Sequence, residues 1–166
     1  HVGRGGGYPP DVLLLQILAF ALGVYIAART VLSAVRSFVV PRGDNDPVTR
    51  FALRTIRRVF VRIAPPSRPY EFRDRVMAYY GPIALVLLPA YWLVLLTGAY
   101  ALMYWALGMP PMDAFVVSGS SLLTLGFARP SVPGGDLLAF TQAAIGLALV
   151  ALLISYLPTI YGAFSR

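Results

Sequence analysis

Three long apolar stretches dominate the pattern of hydrophobic and polar positions along this chain. The first covers residues 11–40, the second runs from Tyr79 to Leu107, and the third runs from Leu137 to Phe164. Each is longer than the about 20 apolar residues that a membrane-spanning helix needs. The pattern therefore predicts an all-α membrane protein with three transmembrane helices per subunit.

The ends of the first span are marked by polar and helix-breaking residues. Residues 1–10 are rich in Gly and predict a flexible tail. Arg29 and Arg36 lie two turns apart on one helical face, where their long side chains can reach the headgroups, so the helix is extended past them. Pro41 and Gly43 then end it.

Residues 41–77 form a basic segment between the first two spans. The pair Asp46-Pro47 predicts a helix start, because Asp is a good N-cap and Pro is favoured at the first helical position. Five Arg side chains then share one helical face, opposite a mostly apolar face: Arg50, Arg54, Arg57, Arg58 and Arg62. A basic face against an apolar face is typical of a helix in the membrane interface. Docking of the apolar face on protein is the alternative.

Composition supports the membrane assignment. The 166 residues are 58% hydrophobic and 13% charged, with a mean hydropathy of +0.70, whereas soluble domains are about 45–50% apolar and about 25% charged. The net charge of +7 is concentrated between apolar runs. Anionic lipid is therefore the expected partner of the basic segment, and nucleic acid is not.

The residue types within the spans disfavour an enzyme. Cysteine is absent and the single His is residue 1, which excludes disulfides, thiolate metal sites and a histidine base inside the spans. The interiors of the spans contain no acidic side chain, and intramembrane chemistry ordinarily needs one. A transporter is disfavoured as well, since the chain shows no inverted repeat.

The distribution of Arg predicts the orientation in the membrane. Nine Arg residues lie between the first two spans, and only Arg129 lies between the second and third. By the positive-inside rule the basic segment is cytoplasmic. We therefore expect a multi-pass protein of the plasma membrane, in a bacterium, with the N-terminus outside and the C-terminus in the cytoplasm.

A short segment between the second and third spans, Ser118 to Pro130, fits neither of them. Pro110-Pro111 predicts a helix from about Met112 to Leu123, which is too short to cross a bilayer. We expect it to re-enter from outside, with Thr124–Ala128 returning as extended backbone. Non-helical backbone is tolerated at this depth only where protein or a water-filled cavity surrounds it. This segment is the candidate functional site, and several copies of the chain would be needed to close a ring.

The order of span, short helix, Thr-Leu-Gly-Phe-Ala and span resembles the pore module of tetrameric potassium channels, whose filter reads Thr-Val-Gly-Tyr-Gly. The resemblance covers Ala78–Arg166, and the basic helix before it resembles the slide helix of inward rectifiers. It implies a homotetrameric cation channel with K⁺ as the permeant ion and no other cofactor. It also implies that filter carbonyls replace the water shell of the ion, with the hydroxyl of the first residue at the cavity end. The filter residues would be Thr124, Leu125, Gly126 and Phe127, followed by Ala128.

Three positions depart from the family pattern, and they predict altered selectivity. Ala128 stands in place of the last Gly, and a left-handed Ala costs about 1–2 kcal/mol. Arg129 replaces an acidic residue at the outer mouth, where four copies would oppose cations unless each Arg folds back. Asp136, a candidate N-cap of the third span, is the candidate partner for Arg129. Ser120 stands where many members have a Glu behind the filter.

The third span would line the pore as the inner helix. Gly146 is a candidate hinge and Pro158 a candidate kink, because Pro removes a helical hydrogen bond. A cytoplasmic regulatory domain could follow Arg166. The alternative function, from another class, is a channel-like membrane sensor or scaffold that conducts little because the Arg129 ring blocks access.

Overall fold

The structure, a computed structural model, contains α-helices joined by loops and no strand over the residues it describes. The α-helices of this described part are α1 (Pro10–Val39), α2 (Pro47–Ile63), α3 (Tyr80–Ala106), α4 (Pro111–Leu122) and α5 (Gly135–Phe164). The described residues are 10–39, 47–63, 70, 71, 74, 76 and 79–164. The predicted tail therefore lies outside them apart from Pro10, and so does much of the predicted basic segment outside α2.

Three of these helices are long and apolar enough to cross a membrane. The candidate spans are Asp11–Ser37 in α1, Val86–Ala106 in α3 and Gly135–Ser155 in α5. In contrast, α4 has 12 residues, fewer than the about 20 that a span needs. The prediction of a multi-pass, all-helical protein with three long apolar helices is confirmed for the described part of the chain.

A glycine-based cap ends α3 and leads directly into α4. Gly108 has a φ of +103°, a conformation that costs Gly little. Its N–H donates to the carbonyl of Trp105 at 2.9 Å, and the Met109 N–H donates to the carbonyl of Tyr104 at 3.2 Å. These two bonds are those of a Schellman motif, in which a left-handed residue follows the last turn of a helix. Pro111 then occupies the first position of α4.

The described residues divide into two compact units. The first contains α1 up to Ala27 together with Leu96–Ile145, and the second contains the rest. In the first unit α1 meets α3 at Gly23, where a Cβ would lie 2.7 Å from the carbonyl oxygen of Ala99 and 2.7 Å from Cγ of Met103. Small residues allow membrane helices to approach this closely, so Gly23 fixes the contact between the two helices.

In the second unit, α2 packs lengthwise against the first half of α3. The Phe60 ring lies edge-on to Tyr80 with the ring centres 5.4 Å apart, and Phe51 lies 6.5 Å from Tyr91. Later residues of α2 thus meet earlier residues of α3, which makes the two helices antiparallel. The buried residues of α2 recur on one face: Thr49, Ala52, Ile56 and Phe60.

Hydroxyl groups join the start of α2 to the end of α1. Thr49 Oγ1 lies 3.0 Å from Ser33 Oγ and 3.0 Å from Ser37 Oγ, and the Ser37 hydroxyl donates to the Ser33 carbonyl at 2.9 Å. Part of the apolar face of α2 is therefore docked on protein, as in the alternative weighed for this helix. Phe51 and Val59 on its flank stay exposed.

Candidate functional site

The site begins with α4, which presents one buried face to its own chain. Pro111 opens the helix, and Asp113 lies in its first turn, where a carboxylate suits the positive end of the helix dipole. The buried residues are Ala114, Val117, Ser118, Ser120 and Leu122. The helix ends one residue before its predicted end and continues into Leu123–Ala128, which we term the carbonyl loop.

The N–H groups of the carbonyl loop are hydrogen-bonded back to α4. Three consecutive N–H groups donate to carbonyls in the last turns of that helix: Leu123 to Gly119 at 3.1 Å, Thr124 to Ser121 at 3.1 Å and Leu125 to Ser120 at 2.8 Å. Further along, the N–H of Ala128 donates to the Ser120 hydroxyl at 3.1 Å. The loop therefore uses most of its donors within its own chain.

The carbonyl oxygens of the loop, in contrast, are not used in backbone hydrogen bonds with other described residues. Among the described residues, no backbone hydrogen bond is accepted by the carbonyls of Thr124–Phe127. In the loop φ is positive only at Thr124 (55°) and Gly126 (72°). The carbonyls of Thr124–Phe127 therefore keep their acceptor capacity for a ligand or a further chain.

The structure places the predicted filter residues together and relocates the backbone strain. Thr124, Leu125, Gly126, Phe127 and Ala128 form one continuous segment after α4, and the first four are exposed. Ala128 avoids the left-handed conformation that would be costly for it, since Thr124 is the only described non-Gly residue with positive φ. The N–H of Ala128 donates to the Ser120 hydroxyl.

Thr124 is the strained residue of the loop. A β-branched side chain at positive φ is a clear outlier, and such strain costs about 1–3 kcal/mol and gathers at functional sites. The Thr124 hydroxyl, predicted at the cavity end, donates to the Leu123 carbonyl at 2.7 Å. That bond partly compensates the strain.

Ser120 braces the loop from behind, in the position where the family resemblance suggested a missing carboxylate. Its side chain is buried, so removing the hydroxyl would leave the Ala128 N–H without its acceptor. We expect Ser120→Ala to speed hydrogen exchange at Ala128, because the loss of a hydrogen bond of ordinary strength costs about 0.5–1.5 kcal/mol. Exchange at residues 123–128 measures this, with exposed Ser131→Ala as the control. Equal exchange rates in the two variants would contradict the bracing role.

Arg129 folds back on Asp136, as the sequence suggested. Its Nε donates to Oδ1 at 3.2 Å and its Nη2 donates to Oδ2 at 3.4 Å, a bidentate arrangement. The hydrogen bond and the charge of Asp136 raise the pKa of Arg129. Asp136 is not the N-cap, since α5 begins at Gly135 and places Asp136 inside the first turn. The charge of Arg129 is therefore balanced within its own chain.

A buried chain of polar groups joins α3, α4 and α5 next to the loop. The Gln142 amide donates to the Ser118 hydroxyl at 2.7 Å, and that hydroxyl donates to the Thr97 carbonyl at 2.8 Å. The Tyr104 hydroxyl lies 3.5 Å from the Gln142 amide oxygen. Sequence reasoning assigned no role to Gln142, although it is the only side-chain amide in the apolar sequence of α5 and is therefore a visible signal.

The two candidate gating residues both lie in α5. Gly146 is buried and is the first residue of α5 that belongs to the second unit. Pro158 lies within α5, which continues to Phe164. Their hinge and kink roles stay predictions.

Comparison with protein-family models, with curated proteins and with solved structures finds no match for this chain. Within the described residues, no group of three or more His, Cys, Asp or Glu side chains could hold a metal ion. The function is therefore argued from the geometry of the carbonyl loop.

Proposed function

We propose that this chain is the pore-forming subunit of a potassium-channel-like cation channel, in which four copies pass K⁺ passively through the carbonyl loop. The observation that carries the proposal is the hydrogen bonding of this loop. The N–H groups of Leu123, Thr124, Leu125 and Ala128 donate to α4, whereas the carbonyls of Thr124–Phe127 accept no backbone hydrogen bond in the described part of the chain. Ion filters are built from rings of such carbonyls, which replace the hydration shell of the ion.

The tetramer is proposed because a single chain leaves the loop uncovered. The side chains of Leu125 and Phe127 are 60% and 69% exposed, and the loop lies in sequence between two helices that can span a membrane. Open non-helical backbone does not face lipid. Symmetric association with further copies would cover these side chains and would bring equivalent carbonyls to one axis.

The orientation follows from the positive-inside rule. The nine Arg residues between the first two spans would lie in the cytoplasm. The chain would then enter the plasma membrane from outside, α4 would be a re-entrant pore helix, and the carbonyl loop would open to the exterior.

The arginine face of α2 would lie at the inner surface of that membrane. Arg54, Arg57, Arg58 and Arg62 surround one shallow surface depression, on the side of the helix away from its packed stripe. We expect replacement of all four by Gln to reduce the number of anionic phospholipids retained by the purified protein. The reason is that each basic residue near an anionic surface contributes about 1 kcal/mol.

Native mass spectrometry of protein taken from mixed anionic and zwitterionic bilayers would measure this retention. The number of zwitterionic lipids retained should be the same in both proteins, and this number serves as the internal control. Equal retention of anionic lipid by both proteins would argue against placing this face at the membrane surface.

Ion flux through the purified tetramer in liposomes tests the main proposal. The expected result is passive uptake of K⁺ and Rb⁺ that exceeds uptake of Na⁺. Absence of flux for all three ions, with tetramers present, would contradict the channel function and would favour the sensor or scaffold. The Arg129–Asp136 pair argues against that alternative, because a paired Arg does not block access as a free one would.

Releasing Arg129 from its partner should reduce cation flux. We expect Asp136→Asn to lower K⁺ flux by at most about fivefold at low salt, since an exposed ion pair is a weak interaction. The difference should shrink at high salt, because the Debye length falls from about 30 Å at 0.01 M to about 3 Å at 1 M. Adding Arg129→Gln to the variant should restore flux. A fall that persists in the double variant would show that charge at the mouth is not the cause.

A further inference from the structure

The buried polar groups around Ser118 point to a role that the loop itself does not reveal. Ser118 and Gln142 are each 0% exposed, and an amide buried without partners is costly. Here the Gln142 amide is satisfied on both sides, by the Ser118 hydroxyl and by the Tyr104 hydroxyl. Polar side chains that bond across apolar helices fix their relative positions.

Ser118 is the point at which α4 is held between two spanning helices. Its hydroxyl accepts from Gln142 of α5 and donates to the Thr97 carbonyl of α3, at 2.7 and 2.8 Å. One hydroxyl therefore ties α4 to both neighbours. The remainder of the buried face of α4 consists mainly of apolar side chains. Apolar contacts fix the position of α4 along its neighbours less strictly than a short hydrogen bond does.

The constraint at Ser118 extends to the carbonyl loop through Ser120, two residues further along α4. The Ser120 carbonyl accepts the Leu125 N–H at 2.8 Å, and the Ser120 hydroxyl accepts the Ala128 N–H at 3.1 Å. The positions of Leu125 and Ala128 thus depend on this last turn of α4. A small displacement of the turn would move the carbonyls of Leu125 and Gly126 with it.

We infer that Gln142 and Ser118 are positioning residues that set the place of the carbonyl loop and thereby specify which cation the site accepts. This inference rests on the proposed channel function. Neither side chain touches the ion. Both act through α4, by holding the carbonyl oxygens of four chains at a fixed distance from their common axis.

A neighbouring hydrogen bond provides a matched control for this role. The Tyr100 hydroxyl of α3 donates to the Thr141 hydroxyl of α5 at 3.3 Å. Thr141 is one residue from Gln142, and this bond joins α3 to α5, as the bond between Tyr104 and Gln142 does. Thr141→Val removes this bond without a contact to α4. Gln142→Leu removes the bond that reaches α4.

The experiment compares Gln142→Leu, Ser118→Ala and Thr141→Val in the full chain, by two measurements. In liposomes, the ratio of K⁺ to Na⁺ flux should fall by about threefold or more in the first two variants, since an interhelical hydrogen bond in a membrane is worth about that factor. The Thr141→Val ratio should match that of the unaltered protein. The loss in the double variant Gln142→Leu/Ser118→Ala should be smaller than the two single losses combined, because both substitutions break the bond between Gln142 and Ser118.

Hydrogen exchange at residues 123–128 gives the second measurement, which does not need conduction. Exchange should be faster in Gln142→Leu and Ser118→Ala than in Thr141→Val. If the unaltered protein carries no flux, the proposed function fails, and exchange alone still decides the positioning role. If the flux ratio and the exchange rates of folded Ser118→Ala both equal those of Thr141→Val, the inference is overturned. The comparison of Ser118→Ala with Thr141→Val still tests the inference if Gln142→Leu does not assemble.

Discussion

Gly126→Ala is expected to lower K⁺ flux by more than about 100-fold. Gly126 has a φ of +72°, and a left-handed non-Gly residue costs about 1–2 kcal/mol. In one chain this cost would reduce the population of the native loop by a factor of about 5–30. Four copies share one ring in the proposed channel, so their penalties combine. Flux in liposomes measures the effect, at equal amounts of tetramer.

Gly134→Ala is the matched control for this substitution. Gly134 has nearly the same backbone conformation, with a φ of +76°, and a Cβ on either residue would meet nothing within 4 Å. Both variants therefore carry similar backbone strain, but Gly134 lies in the turn before α5. We expect Gly134→Ala to keep most of the flux. Equal losses in the two variants would mean that strain alone is responsible, and the carbonyl loop would no longer be assigned to the ion path.

The long apolar helices could be predicted from the sequence because their signal is local. A span needs length and apolar composition, and a run such as Tyr79–Leu107 shows both without reference to the rest of the chain. The start of α4 at Pro111 was equally readable, since two Pro residues and an acidic first turn favour a helix N-terminus. The pairing of Arg129 with Asp136 could be proposed because few other charges lie between the last two spans.

The bracing of the carbonyl loop could not be predicted, because it depends on contacts between distant residues. Ser118 and Gln142 are 24 positions apart, and neither one alone indicates a partner. The resemblance drew attention to Ala128, because the family has Gly there. In the structure the described non-Gly residue with positive φ is Thr124, and nothing in its sequence context indicates this.

The docking of α2 shows the same limit. The buried residues of α2 recur with the spacing expected for an amphipathic helix. This spacing is the same whether protein or lipid covers the apolar face. Only the contacts of Phe60 with Tyr80 and of Thr49 with Ser33 show that protein covers part of this face.

Gly23→Ala is expected to destabilise the protein by about 1–3 kcal/mol, the usual cost of overpacking. The added methyl group would lie 2.7 Å from the Ala99 carbonyl oxygen, so α1 and α3 would have to separate. This carbonyl belongs to the backbone of α3 and cannot move aside as a flexible side chain would. Unfolding of the full chain in a denaturing detergent series measures the loss.

Gly98→Ala provides the comparison within the same contact region of α3. A Cβ on Gly98 would meet nothing within 4 Å, and Ala in place of Gly in a helix stabilises by about 0.5–1 kcal/mol. The two substitutions add the same methyl group to the same type of helix, so a difference in sign isolates the packing of α1 on α3. If both variants gained stability, the close contact at Gly23 would not hold the first helix in place, and α1 would be attached to α3 in some other way.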